Sequence, residues 1–337
     1  MKVYEYKQFG LSNLSLVERD EPQPRAREVV VKFQAASLNY RDVLFHKGVY
    51  NPHARFPAVP LSDGAGEVVA LGGGVTRWKV GDRVCTVYYP DWLDGADMTH
   101  TSRRSPGDGK LAGVLREYGA FHEDALVRVP EHLSYEEAAT LPCAGVTAWN
   151  ALVRVGSLKA GDTVLTLGTG GVSVFAVQFA KLHGARVIST SSSDVKLAHV
   201  LELGADEAVN YRRTPDWDEE VLRLTEGVGV DHVVEVGGAG TLSKSVNAVR
   251  TGGIVSLIGV LTGGAGFDPT RVLVKAIRVQ GVVVGSRRMF EEMNRAIVTS
   301  NMRPVIGKTF AFDETREALK YMESGSHFGK IVITFQK

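Results

Sequence analysis

The chain has 337 residues, 44% hydrophobic and 23% charged, with a formal net charge of +1. That length predicts two domains, and so small a charge provides no field to hold nucleic acid or an anionic membrane. Only two cysteines are present, Cys85 and Cys143, which excludes a disulfide framework or a four-cysteine zinc lobe and fits a reducing cytoplasm.

The opening MKVYEYKQFG lacks the apolar stretch of a signal peptide. The best membrane-spanning candidate, Val164 to Ala180, is broken by Gly168, Gly170 and Gly171. Residues 1–127 read as β-rich. Glu28–Ala35 and Gly66–Ala70 predict strands, and Lys79–Val87 predicts a turn feeding another. Tyr88 to Val114 is polar and aperiodic, the signature of a lid, a binding loop or a tolerated surface insertion.

Ser134 followed by Glu137 forms a capping box that opens a helix. Beyond it, strand and helix patterns alternate. Thr163–Leu167 is a strand, Val172–His183 a helix, Arg186–Thr190 a strand and Val195–Leu203 a helix. His232–Glu235, Leu242–Val249 and Gly253–Ile258 continue the series as strand, helix and strand. Alternation of this kind predicts a doubly wound parallel α/β sheet over residues 128–302. The tail, 303–337, returns to short strands (KTFAF, KIVITF) around one helix, Glu314–Glu323, and is expected to complete the first domain.

The chemistry is clearest at Thr163-Val-Leu-Thr-Leu-Gly-Thr-Gly-Gly-Val-Ser. A strand ends at Leu167, Gly168 makes the turn, and Gly170 lets backbone approach a pyrophosphate. Thr169, Gly171 and Val172 carry the chain into a helix whose N-terminus faces that charge. Ser173 stands where a third glycine is usual. The next strand ends at Ser191 rather than at an acid, so nothing there repels a 2′-phosphate. Ser192 offers a hydroxyl, Lys196 a cation and Tyr211 a further hydroxyl. These residues point to NADP(H) rather than NAD(H), although Ser193-Asp194 also makes an ordinary helix cap and Lys196 an ordinary surface lysine.

The whole chain resembles the medium-chain dehydrogenase/reductase superfamily. The resemblance rests on Gly64-Ala-Gly-Glu-Val, Val80-Gly-Asp-Arg-Val, Leu141-Pro-Cys-Ala-Gly-Val-Thr-Ala-Trp, the glycine turn and Leu203-Gly-Ala-Asp. It implies a GroES-like β-barrel catalytic domain and a Rossmann cofactor domain, with the active site in the cleft between them. Zinc members of the superfamily carry a cysteine where this chain has Asn39, and a His-Glu pair where it has Ser62-Asp63. Only the third ligand position, Cys143, is kept. The resemblance therefore implies no metal and falls in the quinone oxidoreductase and enoyl reductase branch, whose members deliver hydride to a quinone or to an activated C=C bond.

Tyr50 matches the tyrosine that enoyl reductases offer as an acid; water is the alternative proton source. Asn39 and Tyr40 match positions lining the nicotinamide cleft, and Arg41 and Asp42 are read as a structural pair. Further cofactor contacts implied by the resemblance are Thr147, Gly237, Gly238, the Ile258-Gly259-Val260 turn, Val284-Gly285-Ser286 and Phe328-Gly329-Lys330. Val279–Val284 is a candidate edge strand, which family members pair across a two-fold axis; a homodimer is expected. Two other functions compete: an alcohol or aldehyde dehydrogenase keeping a metal through Cys143 and Asp63, and a catalytically silent nucleotide-binding protein.

Overall fold

Apolar residues on both faces of Glu28–Ser37 (EVVVKFQAAS) mark a strand covered on both sides. It is the third strand, β3, after β1 (Lys2–Tyr6) and β2 (Leu14–Glu18), which pair with each other. Helix α1 (Tyr40–His46) follows directly, then β4 (Asp63–Leu71), β5 (Arg83–Thr86), β6 (Tyr118–His122) and β7 (Leu126–Arg128). The structure is a computed structural model and describes residues 1–95, 103–259, 261–262 and 267–335.

The capping box closes as the sequence predicts. Ser134 N–H donates to the Glu137 carboxylate at 2.8 Å, and Glu137 N–H donates to Ser134 Oγ at 3.2 Å. The helical segment it opens is not uniform. It runs as α2 (Tyr135–Ala139), a π-type turn at Leu141–Gly145, α3 (Val146–Trp149) and a second π-type turn at Asn150–Val155. Such wide turns collect at functional sites.

The alternating region folds as read. Strands β8 (Thr163–Leu167), β9 (Arg186–Ser191), β10 (Glu207–Asn210), β11 (Val230–Glu235), β12 (Val249–Leu257) and β13 (Arg278–Gly281) form one parallel sheet. Its order is β10-β9-β8-β11-β12-β13, the dinucleotide-binding order in which ligands gather at the carboxyl ends around β8 and β11. Helices α4 (Gly171–Leu182), α5 (Asp194–Glu202), α6 (Trp217–Leu224), α7 (Leu242–Ala248) and α8 (Thr270–Val274) make the connections. Leu165, Ile188, Val233 and Val255 pack together at its core. The edge strand is shorter than Val279–Val284: pairing to β12 stops at Gly281, and Val282–Val284 leave the sheet.

After it come α9 (Arg287–Ser300), β14 (Ile306–Ala311), α10 (Thr315–Glu323) and β15 (Lys330–Thr334). Strand β15 pairs with β3, so the tail finishes a sheet of order β14-β15-β3-β4-β5-β7, with β6 also on β3. Two compact units result, Met1–Val146 with Gly285–Lys337, and Thr147–Val284. The sequence reading drew the boundaries at 127/128 and 302/303. They differ because Ser37 Oγ donates to Ala139 O at 2.8 Å and Asn294 Nδ2 to Arg128 O at 3.0 Å, tying α2 and α9 to the first unit.

The Tyr88–Val114 segment hides anchors that its aperiodic sequence conceals. Tyr88, Tyr89, Trp92, Ser105 and Asp108 are buried. The Asp108 carboxylate collects N–H donors from Ser105, Lys110 and Leu111 at 2.7–3.1 Å. Gly113 lies so close to the backbone of Pro60 that a Cβ would sit 2.0 Å from its carbonyl oxygen. The described part of this segment is therefore stitched into its unit; residues 96–102 lie outside the described residues. Among the described residues no helix is long and apolar enough to cross a membrane.

Candidate functional site

In the parallel-sheet unit, the glycine turn has the expected geometry. Gly168 has φ +71°, a conformation that a side chain disfavours, and its N–H donates to Thr190 O at 2.8 Å. Gly170 is the N-cap of α4 and supplies no side chain to the first helical turn, so the N–H groups there are open to an anion. Ser173 completes the turn in its own way. It is buried, and its hydroxyl donates to Leu167 O at 2.7 Å, tying the helix to the end of β8. A serine thus keeps the packing that a third glycine usually gives.

At the end of β9, Ser191 is buried and Ser192 half-buried. Tyr211 N–H donates to Ser191 O at 3.1 Å, which brings the 211–213 segment beside this strand end. Sequence reasoning noticed Tyr211 and passed over the two arginines after it. Arg213 pairs with Asp194, which also accepts from Asn210 Nδ2 at 2.7 Å. Asp194 is therefore paired, and its pKa is held below the ordinary range by Arg213 and then Asn210. Lys196 sits on the first turn of α5, where burial lowers its pKa.

A residue that the sequence marked only as a strand end organises the rest. Glu235 is fully buried at the end of β11. Its Oε1 accepts N–H from Gly237 (2.7 Å) and Gly238 (2.9 Å) and the Thr241 hydroxyl (2.7 Å), and its Oε2 accepts the Ser245 hydroxyl. Its backbone carbonyl accepts Ile258 and Gly259 N–H at 2.9 and 3.0 Å. Gly237 and Gly259 are needed for this packing, since a Cβ on either would meet Thr241 Oγ1 at 2.3 Å or Val236 O at 1.5 Å. Val260 lies outside the described residues. Val284 has φ +54°, strained for a β-branched residue, and Asn150 Nδ2 holds its carbonyl at 2.7 Å. Thr147 is buried in α3.

The other unit holds a buried polar cluster around Asn39. Asn39 caps α1, and its N–H donates to Asp42 Oδ2 at 2.8 Å. Asp42 Oδ1 lies 3.4 Å from Arg41 Nε, the expected structural pair. Burial raises the Asp42 pKa to about 6 against the pull of Arg41. Arg41 donates to Ser105 Oγ (2.8 Å) and Pro106 O (3.0 Å), and its guanidinium lies 4.8 Å from the ring centre of Tyr50 and 5.3 Å from that of Tyr88. Burial opposes its charge, but Tyr88, Tyr50 and Asp42 outweigh burial and hold the pKa up. The Tyr50 and Tyr88 hydroxyls are 2.8 Å apart, and burial raises the Tyr88 pKa, so that phenol stays protonated. Tyr40, by contrast, is 37% exposed and belongs to none of these contacts.

The Phe328-Gly329-Lys330 turn corrects an expectation. Lys330 is only 3% exposed, and its ammonium donates to Leu38 O at 2.6 Å and Asn39 Oδ1 at 2.7 Å. It is spent inside the fold rather than held out for a phosphate. Gly329 has φ +59° and packs against Val305 O, a backbone reason for glycine. Phe328 is half-buried. Ser286, just after Gly285, is likewise engaged: its Oγ accepts Met289 N–H at 3.2 Å as the N-cap of α9.

Lys330 Nζ also lies 4.0 Å from Asp63 Oδ2. Asp63 is fully buried, and both its oxygens are taken, Oδ1 by the Ser62 hydroxyl (2.6 Å) and Oδ2 by Cys143 N–H (3.0 Å). Burial, then Asp63, raises the Cys143 pKa. These residues do not fit a zinc ion: a fixed ammonium stands among them, and two of the donors are a neutral amide and a hydroxyl. Among the described residues no three His, Cys, Asp or Glu side chains come together as a metal site.

A parallel sheet of this order with an open glycine turn at β8 defines a dinucleotide-binding unit, and known proteins add the family. Residues 25–131 match the alcohol dehydrogenase GroES-like domain and residues 171–299 the zinc-binding dehydrogenase family. The chain is 41% identical to the zinc-type alcohol dehydrogenase-like protein C1773.06c of Schizosaccharomyces pombe, over 96% of both. It superposes on a solved NAD-dependent alcohol dehydrogenase with a TM-score of 0.92 at 33% identity, covering 100% of each. It also resembles the 2-octenoyl-CoA carboxylase reductase CinF, solved with NADP and 2-octenoyl-CoA (TM-score 0.85, 29% identity, 96% of this chain and 82% of that one). The chain belongs to the medium-chain dehydrogenase/reductase superfamily and has its GroES-like and Rossmann folds.

Proposed function

We propose that the protein is a zinc-independent reductase that uses NADPH to reduce the C=C bond of an α,β-unsaturated carbonyl, or a quinone. The observation that carries this reading is the Lys330 ammonium bonded to Asn39 Oδ1 and facing Asp63. With a fixed monovalent cation in this cluster, an alcohol oxygen finds no Lewis acid there. A conjugated acceptor needs none, because its own carbonyl takes up the developing charge.

When bound, NADPH supplies the hydride. The first turn of α4 would take its pyrophosphate, and Ser191, Ser192 and Lys196 its 2′-phosphate, with the acid at Asp194 already neutralised by Arg213. Tyr50 supplies the proton. The Tyr50 and Tyr88 hydroxyls share a hydrogen bond in which either can donate; with Tyr88 as donor the Tyr50 O–H is available to the substrate, and Arg41 keeps both rings in place. CinF, with its bound NADP and enoyl thioester, supports this reading of cofactor and acceptor. The names of the yeast relative and of the NAD-dependent structure favour a second reading, an alcohol dehydrogenase.

A panel of enones, quinones and alcohols, followed by NADPH oxidation or NADP⁺ reduction, separates the two. The enones or quinones should turn over; activity confined to alcohols would overturn the proposal. In the same assay Tyr50→Phe should lower kcat by roughly 10²-fold with little change in the NADPH KM. Full activity in that variant would hand the proton to water. We also propose that two copies pair along β13, the outer strand, beside the exposed Leu273 and Val274 of α8. Sedimentation at twice the chain mass checks this, and a monomer at micromolar concentration contradicts it.

A further inference from the structure

The cluster around Lys330 also fixes the orientation of an amide. An ammonium has three donors and no acceptor, so it must meet the oxygen of a neighbouring amide and never its NH₂. With Lys330 Nζ 2.7 Å from Asn39 Oδ1, the orientation of the Asn39 amide follows from chemistry. Its backbone is held as well, by the 2.8 Å bond from Asn39 N–H to Asp42. Asn39 Nδ2 is then the free end of a rigid side chain. It is buried and, among the described residues, has no hydrogen-bond partner. A buried donor left unpaired is costly and asks for an acceptor. Asp63 is not a partner of Asn39 Nδ2; the hydrogen bonds to its carboxylate come from Ser62 and Cys143.

We propose that Lys330 is a positioning residue that turns the Asn39 amide into a hydrogen-bond donor for the carbonyl oxygen of the acceptor substrate. The bond from Lys330 to Oδ1 draws electron density from the amide and makes its NH₂ a stronger donor. Asp63 balances the ammonium charge in the same buried space. A carbonyl oxygen that gains negative charge as hydride arrives is stabilised more than the ground-state carbonyl, which is what a rate-enhancing contact requires. This inference rests on the carbonyl-acceptor reading above.

Its test measures binding without turnover. Cyclohex-2-enone is titrated calorimetrically into the NADP⁺ complex of the full chain, where no hydride is available. Lys330→Met should weaken cyclohexenone binding by roughly 10-fold or more while NADP⁺ binding changes by less than about threefold. Because Lys330→Met alone leaves Asp63 buried without its cation, the double variant Lys330→Met/Asp63→Asn is measured beside it and should fold with the same enone defect. If the double variant regains enone affinity, Lys330 serves only as the counter-ion of Asp63 and the proposal is overturned. A weakened NADP⁺ with an unchanged enone makes Lys330 a phosphate ligand and also overturns it. So does a wild-type complex that binds no enone. If the wild type binds enone in a Lys330-dependent way yet reduces none, the positioning role stands and the proposed reaction fails.

Discussion

Replacing Glu235 by alanine is expected to destabilise the Rossmann unit by roughly 3–5 kcal/mol, because it strips a fully buried carboxylate from four donors, of which Gly238 N–H and the Ser245 hydroxyl are themselves buried. The carboxylate joins two backbone N–H groups and two hydroxyls, all within one loop and the helix after it. The backbone carbonyl of the same residue anchors the turn at Ile258 and Gly259 after β12. Both loops sit at carboxyl ends of parallel strands, where a dinucleotide is received. NADPH affinity should therefore fall with stability, by about 10-fold or more. Glu235→Gln is the informative control. It keeps an acceptor oxygen for the glycine N–H groups and offers its NH₂ to the Ser245 oxygen, so it should lose less than half as much. Denaturant unfolding and NADPH fluorescence titration measure the two quantities. An alanine variant of wild-type stability would show that the loops are held by something else.

The second large effect concerns the choice of cofactor. Ser191→Asp should reverse selectivity, weakening NADPH by roughly 10²-fold, or about 2.7 kcal/mol, while NADH binds as well or better. The new carboxylate would face the 2′-phosphate at close range but accept hydrogen bonds from the two ribose hydroxyls of NADH. Arg213 is already committed to Asp194, and the site has that pair to keep its own acid quiet. The ratio of kcat/KM for the two cofactors before and after substitution reads this directly. A wild-type protein that already prefers NADH would remove the assignment of Ser191, Ser192 and Lys196 to a phosphate.

The Rossmann half was legible because strand and helix patterns alternate and the first apolar strand, Thr163–Leu167, ends in a glycine turn. Thr163–Leu167 coincides with β8, and the helix expected over Val172–His183 is α4, one residue earlier. Legibility failed where partners are remote in sequence. Nothing in Phe328-Gly329-Lys330 shows that the lysine turns inward to Asn39, 291 residues away, and so the turn read as a phosphate contact. Helix α9 buries Met289, Phe290, Met293 and Ile297 at helical spacing, and Ser286, read by resemblance as a cofactor contact, is its cap. Glu235 looked like the last residue of a strand, since its partners come from glycine backbone and from hydroxyls that carry no pattern. The missing zinc ligands, in contrast, were visible as residue identities at Asn39 and Ser62, and the structure adds the ammonium that stands among them.

The proposed reaction is hydride delivery to a conjugated acceptor without zinc. It is tested most directly by measuring zinc content and NADPH-dependent reduction of cyclohex-2-enone and a benzoquinone on one sample, before and after dialysis against a chelator. The expected result is far less than one zinc ion per chain and a rate that dialysis leaves unchanged. About one zinc ion per chain, with activity that disappears on chelation and returns with zinc, would contradict it.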